Sequence, residues 1–352
     1  MSVAVTGAIA MDHLLTFPGR FPDRPGADRS GTGRSGADQS EAGRPGAGRP
    51  GPRRPHVASL PFLAERFAVR RGGAAANIAF GLGRLGLTPV LVGAAGSDFA
   101  DYQVWLKQHG VDTESVLVVP GEHTARHVRA TDAAGERITA FRPGAMGASA
   151  TLSLRSVAER TGGLDLVVVA PGDPVAMLRH TAECRALGLP FVAHPAWRIG
   201  ALGRAGLTYC VSGARCLVTG EGEARRLREA TGWSGPGVLE RVGAWVTTLG
   251  AAGARIERAG REPCLVPALG SVTVAEPSGA GDAFRAGLVA GLVRGAPLER
   301  SAQLGCALAA FALEAPGAQE YAMDVRRLLG RVREAYGHTA AAAIHRLLAP
   351  AA

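Results

Sequence analysis

The sequence predicts an α/β fold, a parallel sheet covered by helices on both faces, with a small β-sheet lid beside it. Two observations carry this expectation. From Leu164 onward, short apolar runs alternate with segments of helical period, the order that parallel strands with crossover helices require. Between Val116 and Phe141, short runs with alternating character follow one another, separated by turn signals such as Asp132-Ala133-Ala134-Gly135. The 352 residues suffice for one sizeable domain with an appendage, and residues 1–352 are read as one unit.

The elements are expected in the following order. Residues 3–9 form a buried first strand. Residues 22–56 turn to Gly, Arg, Pro, Ser, Asp and Ala without a large apolar side chain. They bury too little surface to offset their ordering entropy and are expected to be a disordered insertion in the lid. Order resumes at 57–69. Gly72 and Gly73 precede a helix over 75–85, followed by a strand at 89–94 and a helix at 102–109. Short strands follow at 116–119, 124–131 and 137–141, so the lid is drawn from about 12–21, 57–71 and 114–142. Then come a strand at 164–170, a helix at 174–187, strands at 191–193 and 215–219, a helix at 224–231 and a strand ending at 246–250. The chain after Asp282 is mainly helical.

Composition narrows the function classes. No run of 18 apolar residues predicts a membrane span, and the N-terminus lacks the basic and long apolar regions of a signal peptide. Five scattered cysteines without Cys-x-x-Cys spacing argue against zinc or a disulfide framework, so the cytoplasm is the expected compartment. The net charge of +9 is almost all arginine. With 5% aromatic residues and no basic stripe interleaved with stacking side chains, no nucleic-acid partner is expected. Lys107, the sole lysine, follows Leu106, so no P-loop and no lysine-dependent protein-kinase signature is present. Phosphate chemistry here must rest on arginines, metal and backbone N–H groups.

Two segments carry that chemistry. Glu276-Pro277-Ser278-Gly279-Ala280-Gly281-Asp282 leads into an apolar helical pattern at Phe284, Leu288 and Leu292. Small residues at the start of a helix leave N–H groups uncovered, and those groups with the helix dipole attract anions. Asp282 is there either a stabilising first-turn carboxylate or a base beside a bound phosphate. Roughly two hundred residues earlier, Arg71-Gly72-Gly73-Ala74-Ala75-Ala76-Asn77 combines two glycines that admit a ligand to the backbone with an amide suited to polyol hydroxyls. A helix start with a glycine hinge explains that segment equally well on its own. Gly81-Leu82-Gly83-Arg84-Leu85-Gly86 matches a dinucleotide fingerprint but lies within a helix, where close packing and a C-terminal glycine cap account for it better.

Together the Gly-Gly-x-x-x-Asn and Gly-Ala-Gly-Asp segments resemble those of the ribokinase-like PfkB carbohydrate kinase family. Stretches 4–14, 17–21, 98–102, 123–126, 141–146 and 300–305 are similar to its actinobacterial adenosine kinase branch. The resemblance implies a ribokinase-like three-layer α/β/α sandwich with a β lid, ATP and Mg²⁺ as cofactors, and a nucleoside or sugar as substrate. It also implies pairing of two subunits through the lid strands. Carried onto this chain, Asp282 is the catalytic base, and Gly279, Ala280 and Gly281 supply N–H groups to the transferring phosphoryl. Asp12, Gly72, Gly73 and Asn77 hold the sugar, while Phe141, and His127 where a second lid aromatic is usual, face the base. Thr248 and Gly250 contact ATP, and Glu223 contacts ATP and supports the metal. The implied reaction is phosphorylation of the 5′-hydroxyl of adenosine to AMP, with a sugar or another nucleoside as alternative acceptor, or a binding-only pseudokinase. Departures cluster around the base and metal: Ala8 for a hydroxyl residue, Gly220 for Asn, Glu276 for Asp, and His194-Pro195-Ala196-Trp197-Arg198 for Asp-Pro followed by amides.

Overall fold

The computed structural model describes residues 1–21 and 63–349. The expected insertion at 22–56, and residues 57–62 of the expected lid, lie outside the described residues. In chain order the first half holds β1 (Val3–Thr6), β2 (Ala10–Thr16), β3 (Arg66–Gly72), α1 (Ala74–Arg84), β4 (Val90–Gly96), α2 (Ala100–Gln108), β5 (Val116–Val119), β6 (Ala125–Thr131) and β7 (Arg137–Arg142). Next come α3 (Leu154–Thr161), β8 (Leu166–Val169), α4 (Pro174–Ala186), β9 (Phe191–Ala193), α5 (Ile199–Val211), β10 (Cys216–Gly220), α6 (Glu221–Thr231) and α7 (Gly235–Leu239). The last third holds β11 (Trp245–Thr248), β12 (Ala254–Glu257), β13 (Cys264–Val266), α8 (Ala280–Val293), α9 (Leu298–Leu313) and α10 (Val325–Leu348).

The large sheet has the order β13-β12-β11-β10-β9-β8-β1-β4-β5. Its strands from β11 to β5 run parallel, and β12 and β13 add an antiparallel edge. Successive side chains of a strand point to opposite faces, and both faces here are apolar. Val3, Val5 and Val168 pack with Phe80, Leu288 and Leu304 in one helical layer. Ala4, Val167 and Val169 pack with Leu154, Met177 and Leu207 in the other. The result is a three-layer α/β/α sandwich. Within the first layer, α8 and α9 touch backbone to backbone: a Cβ on Gly287 would lie 2.6 Å from Gly305 Cα, and one on Gly291 2.7 Å from Ser301 Cα. That close contact sets where the N-terminus of α8 points.

The lid is a second sheet of order β3-β2-β6-β7. Two expectations need correction here. The apolar stretch 3–9 is not one strand: β1 ends at Thr6, and the chain crosses into the lid at Ala10, where β2 begins. The break is fixed by Ala8, whose N–H donates to Pro171 O at 3.0 Å instead of continuing the ladder. Residues 116–119 do not belong to the lid either. β4, α2 and β5 form a βαβ crossover, which places β5 parallel to β4 at the edge of the large sheet, with Ala94 opposite Leu117. The lid face that carries Phe67, Val69, Val128 and Ile138 is exposed. No helix among the described residues is long and apolar enough to cross a membrane, and all five cysteines are unpaired.

Candidate active site

The Gly-Ala-Gly-Asp segment forms the start of α8. Gly279 caps the helix at φ +85°, a left-handed conformation, and any Cβ there would run into the Ala318 side chain. Glycine is therefore required twice over, by backbone and by space. Ala283 N–H closes the first helical bond onto Gly279 O at 2.8 Å, so the N–H groups of the residues between have no partner within the helix. Gly73 does the same for α1: it caps that helix at φ +92°, and a Cβ would lie 2.5 Å from Ala10 N.

These two helix starts meet. Asn77, 6% exposed, donates from Nδ2 to Asp282 Oδ2 at 2.9 Å and accepts from Gln319 Nε2 at 2.8 Å on its Oδ1. Gln319 also donates to the Tyr102 hydroxyl, which in turn donates to Gly72 O at 2.8 Å. On its other oxygen Asp282 faces Arg285 Nη1 at 3.4 Å, and Arg285 Nη2 lies 3.8 Å from Glu223 Oε2. Burial raises the Asp282 pKa above its ordinary 3.8, and the nearby carboxylates of Asp12 and Glu223 add to the rise. The Arg285 cation and the Asn77 hydrogen bond oppose it without cancelling it.

Above this floor a cleft of about 640 Å³ opens toward the lid. Strand register sets its lid wall: Asp12 pairs with His127 across β2 and β6, and His127 pairs with Phe141 across β6 and β7. All three therefore lie on one face, with His127 Nδ1 3.5 Å from Asp12 Oδ1. The Asp12 carboxylate fills the space a side chain at Gly72 would need, 2.5 Å from that position. Phe141 meets Trp197 at a centroid distance of 5.0 Å, and the Arg198 guanidinium covers the Trp197 ring at 3.8 Å.

Of the residues singled out from sequence, Asp12, Gly73, Asn77, His127, Phe141, Glu223, Thr248, Gly279, Gly281 and Asp282 line this one cleft. Gly72, Ala280 and Gly250 are outside its lining. Gly72 supports Asp12 from behind, Ala280 is the first helical residue after the cap, and Gly250 starts a turn beyond β11. Glu223 Oε2 accepts the Gly220 N–H at 2.8 Å, so the Glu223 side chain closes the start of α6, where the N-cap glycine has no side chain of its own.

Several residues of the cleft had been given no role from sequence. Ser278 and Arg285 line it; a buried arginine one turn after Asp282, in an otherwise apolar helix, was the available signal for Arg285. His194 lines it too, 3% exposed, with no hydrogen-bond partner on either ring nitrogen. Burial and the Arg285 charge hold its pKa well below the ordinary 6.5, so the ring is neutral, with one unpaired donor and one unpaired acceptor. Gln319 and Tyr102 act from behind Asn77, and no local pattern marks them.

Comparison with known proteins agrees with this geometry. Residues 55–325 match the sequence pattern of the pfkB family carbohydrate kinases. A nucleoside kinase of Methanothermobacter thermautotrophicus is 30% identical over 291 residues, covering 80% of this chain and 93% of that protein. The nucleoside kinase of Burkholderia thailandensis in complex with inosine superposes with a TM-score of 0.79 at 28% identity, covering 96% of this chain and 98% of that one. The same enzyme in complex with ADP-inosine gives a TM-score of 0.77 at 29% identity, over 96% of each chain. The chain thus has the ribokinase fold and belongs to the pfkB family of carbohydrate kinases, phosphotransferases that act on an alcohol group.

Proposed function

We propose that this protein is an ATP-dependent nucleoside kinase, transferring the γ-phosphate to the 5′-hydroxyl of a purine nucleoside, with adenosine as the first acceptor and AMP as product. The observation that carries the reading is the Asn77–Asp282 contact. It joins a polyol-binding amide to a carboxylate of raised pKa, directly beside the uncovered N–H groups of α8. In this reading Asp282 removes the hydroxyl proton as that oxygen attacks the γ-phosphorus. The bond from phosphorus to the β-bridging oxygen breaks, ADP leaves, and the N–H groups from Gly279 to Gly281 receive the charge of the phosphoryl oxygens. Asp12 holds the ribose hydroxyls, with His127 next to it. Phe141 and Trp197, their rings tilted at 59° to each other, supply aromatic contacts for a base, which favours a nucleoside over a free sugar.

Thr248 and Gly250, at the end of β11, are assigned to ATP. The ADP-inosine complex of the Burkholderia enzyme supports both ligand types. Among the described residues no group of three acidic, His or Cys side chains forms a ready metal cage. Mg²⁺ carried on phosphate oxygens keeps most of its waters and needs one or two carboxylates. Glu223, whose Oε2 is held by Gly220 N–H and Arg285, fits that need through Oε1. When bound, the ion offsets the negative charge of the phosphate chain.

The test is an acceptor panel of adenosine, inosine, guanosine, ribose and fructose with ATP and Mg²⁺. Phosphorylation of adenosine is expected. Turnover of ribose or fructose alone would move the chain to the sugar kinases, and saturable binding without any turnover would make it a pseudokinase, the reading that Gly220 favours.

A further inference from the structure

The lid reaches the loop of residues 275–279, which leads into α8, at a buried arginine. Arg129 lies on β6, two residues beyond His127 and so on the same face of the lid, opposite Thr139 of β7. It is 8% exposed. Its Nη2 donates to Glu276 Oε2 at 2.7 Å and its Nη1 donates to Ser278 Oγ at 2.6 Å. Glu276 uses its other oxygen to accept the Ser278 N–H at 3.0 Å. Burial alone would raise the Glu276 pKa, but Arg129 and Ser278 bring it below its ordinary 4.5, so the pair is ionised at neutral pH. The loop is held at its start by Leu313 O, which accepts from Ala275 N–H at 2.8 Å, and it ends in the Gly279 cap. Between those two anchors, the side chains of Glu276 and Ser278 are held by a guanidinium that belongs to the lid.

A two-point contact from a planar guanidinium fixes orientation as well as distance. One strand thus carries His127 into the acceptor wall and Arg129 into the loop that precedes the N–H groups. We propose that Arg129 is a positioning residue for phosphoryl transfer, locking the Glu276–Ser278 loop so that the N–H groups from Gly279 to Gly281 are aimed when the lid is seated. This rests on the reading above, in which those N–H groups receive the phosphoryl oxygens. It also gives Glu276 a role that a shorter aspartate would have to reach differently.

The experiment compares Arg129→Met, Arg129→Lys, Glu276→Gln and the double variant Arg129→Met/Glu276→Gln with the parent, using Asp282→Asn as control. It measures kcat, KM for adenosine and ATP, and hydrogen–deuterium exchange of the full-length protein without nucleotide. Arg129→Met should lower kcat on the order of 30-fold, somewhat less than deletion of one transition-state donor, while KM for adenosine stays within about 3-fold because Asp12 and His127 are intact. The double variant should be no slower than the worse single variant, since both break one unit. The Ser278 amide, which donates to Glu276, and the Ala283 amide, which donates to Gly279 O, should exchange faster, with those of α9 unchanged. A kcat within about twofold of the parent, or single effects that multiply in the double variant, would overturn the proposal. If Arg129→Met does not fold, Arg129→Lys, which keeps the charge but loses the two-point contact, gives the same readout. Should Asp282→Asn keep parental activity, the catalytic reading itself fails; if only that control is inactive, the role of Arg129 alone is refuted.

Discussion

The floor of the cleft and its lid wall are built differently. On the floor, Asp282, Asn77, Gln319 and Tyr102 form a continuous hydrogen-bonded chain, and Asn77, Gln319 and Tyr102 are all nearly inaccessible to solvent. On the wall, Asp12 and His127 face each other at 3.5 Å, and Trp197 is 45% exposed. A buried hydrogen-bonded network keeps its geometry before any ligand arrives, because each bond broken would leave a buried group unpaired at a cost on the order of 1–3 kcal/mol; here Gln319 Nε2 is used twice while its Oε1 has no partner. Half-exposed rings carry no such penalty and can be exchanged. The difference teaches that the polar floor of this cleft is preorganised, whereas its aromatic wall, the proposed acceptor surface, is adjustable.

That contrast can be broken at its strongest point first. Asp282→Asn keeps the shape of the floor and removes the proposed base; kcat should fall on the order of a thousandfold in steady-state assays with adenosine, with a much smaller change in KM. A loss below tenfold would place the base elsewhere.

The second test asks whether the floor also sets the pH dependence. Since the Asp282 pKa is raised above 3.8, chiefly by burial, kcat/KM should decline with falling pH along a limb above the ordinary carboxylate range. Arg285 lowers that pKa. Removing its charge in Arg285→Met therefore moves the limb to higher pH. At a fixed acidic pH, kcat/KM should then fall about tenfold for every pH unit by which the limb moves. A limb that stays put would separate Arg285 from the base.

The smallest effects belong to the wall. Phe141→Ala and Trp197→Ala should each raise KM for adenosine about tenfold and leave kcat nearly unchanged, the scale of one lost stacking contact. If either lowers kcat and leaves KM alone, the wall takes part in the chemistry and the distinction between the two regions collapses.

Legibility in the sequence followed the same division. The turns at Gly73 and Gly279 could be read because local backbone geometry demands glycine there, and the alternation of strands and helices gave the sandwich directly. β5 was assigned to the wrong sheet because an apolar run of four residues states that it is a strand, not which neighbour it will pair with. Gln319 reaches Asn77 from 242 residues away, and Arg129 reaches Glu276 from 147. No local pattern encodes a contact of that separation. The antiparallel edge of β12 and β13 escaped for a related reason: four- and three-residue strands are too short for periodicity to show.

The pairing of β2 with β3 bears on how the chain can grow. The two strands are paired along their full length, from Ala10 opposite Gly72 to Thr16 opposite Arg66, and Glu65 N–H donates to Thr16 O at 2.8 Å. The two ends of the intervening segment are therefore tied side by side by the ladder itself. Closing a longer loop between tethered ends costs only about 0.6 kcal/mol per doubling of its length. Evolution can lengthen or shorten the chain at this hairpin end, and an engineer can graft a tag or reporter there, while Asp12 four residues away keeps its register in the cleft.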